Sequence, residues 1–348
     1  MGKYLKEFEL TSQYEEYINS TMALLPNVSL TNDDNMVHYN PIVGDSNIYT
    51  QQYLTFEAIE DSTFRLTQND CEYSLDEGKT WVSLEAETDT PIVYAGNKIM
   101  FKATNPLIIS DSGMGAFSST GKFNVEGNIM SMLYGDDFVD KNDLTNNNYA
   151  FGGLFIGCTN VVEAHNLILS ATTLAAGCYS GMFEGCTSLI TVPELPAITL
   201  ASNCYEYMFY GCTSLTIAPE LPATTLTEGC YFSMFESCTS LTTVPKLPAT
   251  TLADSCYIYM FQDCTSLVTA PELPTTILAT NCYVSMFGGC SNLNRIVMLA
   301  TDISASNCLT DWVYGVASTG TFVKHKNMTS LPTGINGIPE GWTVQDAA

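Results

Sequence analysis

The chain has 348 residues, enough for two or three domains at about 100–200 residues each and for a sizeable buried core. With 46% hydrophobic and 14% charged residues it is neither a disordered acidic segment nor a charge-rich helical protein. Twelve Lys and Arg against 37 Asp and Glu give a net charge of −25, so the repulsion of like charges sets nucleic acid aside as a partner.

The N-terminus runs through Lys3, Tyr4 and Lys6 into polar sequence with no apolar secretory segment. Lys6 stands where a myristoylation signal needs Ser or Thr. Nowhere do the ~18 consecutive apolar residues of a membrane span occur, so no membrane insertion is expected. The expectation is a soluble chain made in a reducing cytosol. Residues 1–45 read as a small docking module: Thr11 caps a short helix carrying Tyr14, Tyr17 and Ile18, and residues 27–30 and 36–39 flank a hairpin-like turn. So little chain has little core of its own and is expected to dock onto something larger. The acidic excess is concentrated early: 23 acidic less 8 basic residues in 1–150 make −15 of the −25, read mainly as solubility.

Residues 46–127 read as a small all-β, sandwich-like domain, with alternating runs at 53–59, 63–67, 71–75, 80–84, 92–94 and 98–103 separated by turn residues. Ser74, Asp76, Gly78, Thr80 and Trp81 match the Asp-box pattern S-x-D-x-G-x-T-W. In physical terms this is a hairpin whose Ser and Asp side chains bond the turn backbone while Gly takes a positive φ. A propeller would need several such boxes, so this one is read as a structural turn. Next come Asp136, Asp137, Asp140 and Asp143, without the central Gly or terminal Glu of a calcium loop, and they are read as a solvated loop.

Residues 128–310 form a repeat preceded by a cap region. Cys178, Cys204, Cys230, Cys256, Cys282 and Cys308 are 26 residues apart, and Cys186, Cys212, Cys238, Cys264 and Cys290 follow eight residues behind the first five. Cys158 marks a degenerate first copy, and only Cys71 lies outside the array. Each copy carries Cys-Tyr-x-x-Met-Phe-x-x-Cys between Thr-rich runs and a Pro-x-Leu-Pro segment. Cys, Met/Phe and Cys at i, i+4/i+5 and i+8 predict one face of a short helix, and the β-branched runs predict brief strands. A 26-residue unit cannot bury its own apolar face, whereas stacked copies can, which makes the array a solenoid. The cysteines then form a buried thiol ladder. Equivalent positions project in parallel, which disfavours disulfides, and no converging C-x2-C pairs suit zinc. Neither metal nor cofactor is expected. Residues 311–348 read as a C-terminal cap, with Trp312 and Val313 replacing Met-Phe and Val316 replacing the second Cys.

His38, His165 and His325 lie in different segments. A Cys–His nucleophile built from His165 with Cys158 or Cys178 would place the thiol at a core position, where burial makes it inert, so no enzyme is expected. The varying positions of the copies point instead to recognition. Tyr207, Tyr210, Phe232, Glu236, Tyr259 and Gln262 in the Cys-to-Cys stretch, with Glu194, Glu220, Lys246 and Glu272 in the Pro-x-Leu-Pro segment, form a candidate binding strip.

Phe209, Cys212, Ser214 and Leu215 resemble the Ala-Phe-x-x-Cys-x-Ser-Leu-x-x-Ile signature of BspA-like bacterial leucine-rich repeats, over about residues 150–310. The sequence departs from it where Ala/Val-Pro-Glu-Leu-Pro replaces the Ile-Pro strand. The resemblance implies a binding or display scaffold rather than an enzyme. The fold class expected is therefore α+β: an N-terminal helix/hairpin anchor, a small all-β sandwich-like domain, and a leucine-rich-repeat solenoid with a C-terminal cap.

The layout also resembles proteins of crAss-like phages of gut bacteria. The likeness lies in Tyr4 to Phe8, in Tyr14 to Tyr17 and Pro26 to Ser29, and in the tail from Thr321 through Gln345. This implies a virion surface protein, a fibre or decoration, synthesised in host cytoplasm without a signal peptide. It would contact other virion proteins through residues 1–45 and a host surface protein or glycan through the solenoid, as a homo-oligomer with a trimer among the options. The alternatives are a bacterial cell-surface adhesin of the same repeat family and a purely structural decoration or assembly protein.

Overall fold

The computed structural model describes residues 28–33 and 36–41 by their backbone, and residues 51–104 and 115–347 in full. The chain divides into two compact units, Met1–Ile48 and Tyr49–Ala348. In the first, strand β1 (Val28–Asp33) pairs antiparallel with β2 (Met36–Pro41), from Val28 opposite Pro41 to Asp33 opposite Met36. This is the hairpin read from the sequence. The helix expected around Thr11–Ile18 lies outside the described residues.

The second unit begins with β3 (Leu54–Ala58), β4 (Phe64–Leu66), β5 (Cys71–Ser74), β6 (Val82–Leu84), β7 (Lys98–Lys102), β8 (Phe117–Ser119) and β9 (Phe123–Asn128). A six-stranded mixed sheet runs in the order β10-β9-β3-β7-β5-β6, where β10 (Asn166–Ile168) comes from within the repeat region and lies parallel to β9. Strands β4 and β8 make a separate antiparallel pair. Inward positions alternate, and Phe56 is the hub of the core: its ring meets Phe64, Phe101, Phe117 and Phe123 at 4.8–5.3 Å between centroids. The run 92–94, expected as a strand, makes only a bridge between Ser62 and Val93, since Pro91 lacks a donor and ends the ladder there.

The boundary expected at residue 127 is bridged. Val125 N–H donates to Glu163 C=O at 2.8 Å, and Phe56 meets Phe155 of the degenerate copy at 5.8 Å. Sheet and repeats therefore share one core.

The Cys-to-Cys stretch, expected as a short helix, is instead a run of turns. Starting from the residue just before it, every fourth residue has a left-handed backbone, as at Asn203, Tyr207 and Gly211 with φ of 55°, 55° and 69°. An α-helix of L-residues does not pass through such positions, which cost about 1–2 kcal/mol per non-glycine residue. The N–H groups alternate in direction. Glu206, Met208 and Tyr210 donate to the carbonyls three residues back, whereas Tyr205, Tyr207, Phe209 and Gly211 donate to Cys230, Phe232, Met234 and Glu236 of the next copy at 2.8–3.1 Å. The hydrogen bonds that a helix would keep to itself thus join the copies, and this offsets the left-handed cost. Among the described residues the helical elements are a single turn, α1 (Ser131–Tyr134), and a 3-10 turn at Gly135–Asp137.

The Thr-rich runs form brief parallel bridges in the same register, including Thr173 to Thr199, Ile217 to Thr243 and Thr225 to Thr251. Inside the stack two ring ladders run through the copies. Tyr179, Tyr205, Tyr231, Tyr257 and Tyr283 lie 5.8–6.1 Å apart. Phe155, Phe183, Phe209, Phe235, Phe261 and Phe287 lie 5.2–5.8 Å apart. Both end on Trp312, which is fully buried and donates its indole N–H to Gly337 C=O at 2.9 Å. The chain closes with three parallel strands, β11 (Arg295–Met298), β12 (Thr321–Lys324) and β13 (Thr343–Asp346), with Phe322 and Trp342 buried beneath.

Candidate functional site

All thirteen cysteines are buried free thiols. In the second series the thiol has a specific partner: Cys186, Cys212, Cys238, Cys264 and Cys290 donate to Phe155, Phe183, Phe209, Phe235 and Phe261 C=O of the preceding copy at 3.0–3.2 Å. Burial pushes Cys178, Cys230 and Cys238 up to about 12 and Cys212 well above the ordinary thiol range, opposite to what a nucleophile needs. Cys158 is shifted the same way by burial, and the ring of His165 faces Thr191 at 3.2 Å and Glu163 at 3.7 Å. Among the described residues no three His, Cys, Asp or Glu side chains converge so as to hold a metal ion. In the acidic loop Asp136 pairs with Lys102 at 2.8 Å and accepts from the Tyr53 hydroxyl at 2.9 Å, while Asp143 bonds Thr145.

The Asp-box residues form a turn between β5 and β6. Ser74 Oγ accepts from Gly78 N–H at 2.9 Å, and Asp76 accepts from Thr80 N–H at 2.8 Å and from the Thr80 hydroxyl at 2.7 Å, with Gly78 at φ 81°. These bonds hold the Asp76 carboxyl down at about 2.

The turn run decides which side chains face outward. Cys204, Tyr205, Met208, Phe209 and Cys212 are buried, as are their counterparts in the other full copies, while Glu206, Tyr207 and Tyr210 remain partly exposed; at the Tyr207 offset Tyr259 is again partly exposed, whereas Ser233 and Ser285 are buried. The outward rings touch edge to face within and between copies: Tyr207 meets Tyr210 of its own copy at 5.8 Å and Phe232 of the next at 5.4 Å, and Phe232 meets Tyr259 at 5.6 Å. Four members of the candidate strip are thus brought into one contact chain. Glu236 joins them, since its carboxylate acts electrostatically on the Tyr207 phenol together with those of Glu206 and Glu184. Burial, and then these charges, raise the Tyr207 phenol above its ordinary range. Burial alone raises Glu184 and Glu206, and it is the main cause for Glu236. Gln262 donates weakly to Asp263 at 3.4 Å.

Glu184 escaped the sequence reading, and Ser233 stands among the varying positions of the copies but outside the ten strip residues. Glu184 occupies the register of Tyr210, Glu236 and Gln262, so the 26-residue offset could have found it. Ser233 occupies the register of Tyr207 and Tyr259. It is fully buried beside Tyr207 and Glu236, and its hydroxyl makes no hydrogen bond of good geometry. Glu194, Glu220, Lys246 and Glu272 are all exposed. Of the ten strip residues, only Glu194 and Glu220 line an open groove of about 610 Å³, walled by Ile190, Val192, Leu195, Ile217 and Pro219.

Among the described residues no helix is long and apolar enough to cross a membrane. No protein-family model, no curated protein and no solved structure matches the chain.

Proposed function

We propose that the chain is a non-enzymatic virion surface protein, a fibre or decoration, that presents stacked leucine-rich-repeat-like copies for attachment to a host surface protein or glycan. The observation that carries the binding part is the register of the stack. The copies repeat at 26-residue intervals, and hydrogen bonds between them hold the backbone that carries Tyr207, Phe232 and Tyr259, whose rings form one contact chain across three copies. Side chains so fixed lose little rotamer entropy on contact with a partner, which suits a binding strip. The virion part rests on the resemblance of the terminal segments to crAss-like phage proteins. In this reading residues 1–45 contact other virion proteins, the assembly is a homo-oligomer, and the thiols serve packing.

Mass spectrometry of purified particles tests the location, and competition by the purified full chain for particle adsorption tests attachment. The reading expects the chain in the particles and a dose-dependent loss of adsorption. A chain absent from particles refutes the location, and adsorption untouched by excess chain refutes the attachment role.

A further inference from the structure

Resting on the reading of the outward rings as a binding strip, we propose that the patch around Tyr207 takes a cationic side chain, above all the guanidinium of an arginine on a partner protein. Three observations converge there. Glu184, Glu206 and Glu236 are partly buried carboxylates around one phenol, and among the described residues none of the ion pairs involves them. Nor is a cation at hand along the chain: from residue 142 to 294 there are eleven Asp and Glu and a single Lys or Arg, Lys246, which lies exposed in a Pro-x-Leu-Pro segment.

The second observation is the ring geometry. Tyr207, Tyr210, Phe232 and Tyr259 meet edge to face at interplanar angles of 67–88°, unlike the near-parallel rings inside the stack. Perpendicular neighbours make a corrugated wall that mixes ring faces and edges, and a ring face attracts a cation through its quadrupole. The third is Ser233. Its hydroxyl is fully buried close to the Tyr207 hydroxyl and the Glu236 carboxylate and favours the charged form of each, yet it meets neither with good hydrogen-bond geometry.

Together these supply what a guanidinium requires: carboxylate acceptors for its planar fork and an aromatic wall for its face. Arginine is favoured over lysine because the fork can bond a carboxylate while its plane lies on a ring. An anionic glycan is disfavoured by the same carboxylates. A neutral glycan leaves their charge uncompensated.

The test uses the full chain at physiological salt and the peptide acetyl-Gly-Arg-Gly-Arg-Gly-amide, with its citrulline analogue as a neutral isostere, in titration calorimetry. The arginine peptide should bind, and the citrulline peptide should bind at least roughly tenfold more weakly. Glu206→Gln with Glu236→Gln, and separately Tyr207→Leu, should each weaken binding roughly tenfold. Glu228→Gln with Glu340→Gln, which removes two charges from exposed positions elsewhere, should leave it unchanged.

Equal affinity for both peptides, no binding of the arginine peptide, or equal losses in the two charge-removal pairs would each overturn the proposal. Binding of a neutral oligosaccharide that is lost in Tyr207→Leu, with no arginine binding, overturns the cation assignment but leaves the strip as a binding surface. Host attachment unaffected by Tyr207→Leu while arginine binding is lost has the opposite meaning: the patch takes cations, and the attachment reading fails.

Discussion

Phe235 stacks at 5.6 Å on Phe209 on one side and on Phe261 on the other. Replacing it by Leu removes two ring pairs worth about 0.5–1.5 kcal/mol each beyond burial, and adds a change of core shape worth up to about 1.5 kcal/mol. Phe235→Leu should therefore cost about 2–4 kcal/mol, and Phe261→Leu, with neighbours at 5.6 and 5.8 Å, about the same. The double variant loses three ring pairs where the two singles together lose four. It should be less destabilised than their sum by one pair, about 0.5–1.5 kcal/mol. Phe183 and Phe261 share no stacking neighbour, so that double variant should be additive within about 0.5 kcal/mol. Urea unfolding followed by circular dichroism measures both cycles. Additivity in the adjacent pair, or equal coupling in the distant pair, would refute a core built from neighbour contacts.

The buried thiols should resist alkylation at pH 8, and all thirteen should react in guanidinium chloride; rapid reaction of several thiols in the folded chain would contradict the ladder. Glu206 and Glu236 have carboxyls raised by burial, so in the folded chain they favour the protonated form, and their charged forms weaken the fold as pH rises above the ordinary carboxyl range near 4.5. Glu206→Gln should raise the urea midpoint at pH 7, with the gain shrinking towards pH 4; a gain that grows on acidification has the wrong sign. Asp76 is the opposite case. Its carboxyl is held at about 2 against an ordinary 3.8, so the stability it contributes is present above about pH 4 and lost as pH falls through 2. An NMR titration should place Asp76 near 2 and Asp76→Asn should lower the melting temperature, whereas titration at an ordinary value would undo the turn assignment. Ser237 sits at φ 61° where the preceding copy has Gly211 at 69°, so Ser237→Gly should stabilise by about 0.5–1 kcal/mol and Ser237→Val should destabilise, as read from melting curves.

Much of the layout was legible in the residues. The 26-residue interval of Cys178, Cys204 and Cys230 is the interval at which the copies bond in the fold, and Cys, Tyr, Met and Phe at fixed offsets are the buried side chains. The local conformation was not legible. A residue that turns left-handed every fourth step brings apolar side chains to one side at nearly the spacing of a helix, so periodicity alone does not separate the two. Glycine marks only some of the left-handed positions: Gly181 stands at φ 61°, but Tyr207, Ser233, Tyr259 and Ser285 occupy the equivalent sites of later copies at φ 47–56°. Hydrogen bonds to the next copy hold those side chains in a conformation they would not choose alone, and such partners lie 25 residues away in sequence. The Asp box was the converse case. Its bonds are local, between Ser74, Asp76, Gly78 and Thr80, and a local pattern is readable without the fold. For the candidate strip, the offsets marked positions that face outward in some copies only: Tyr207 and Tyr259 are partly exposed, while Ser233 and Ser285 at the same offset are buried. That Tyr207, Phe232 and Tyr259 touch while Glu194 and Glu220 line a separate groove required the stacking geometry.

The most direct test of the central claim is attachment of the purified full chain to host cell envelopes, compared between the native chain and Tyr207→Ala/Phe232→Ala/Tyr259→Ala. These three outward rings are only partly buried, so the triple variant should keep the native urea transition to within a few kcal/mol. The account predicts saturable attachment by the native chain and loss of at least roughly a hundredfold in affinity for the folded triple variant, the loss expected of a central cluster of aromatic contacts. Attachment of equal strength by the two proteins would contradict it.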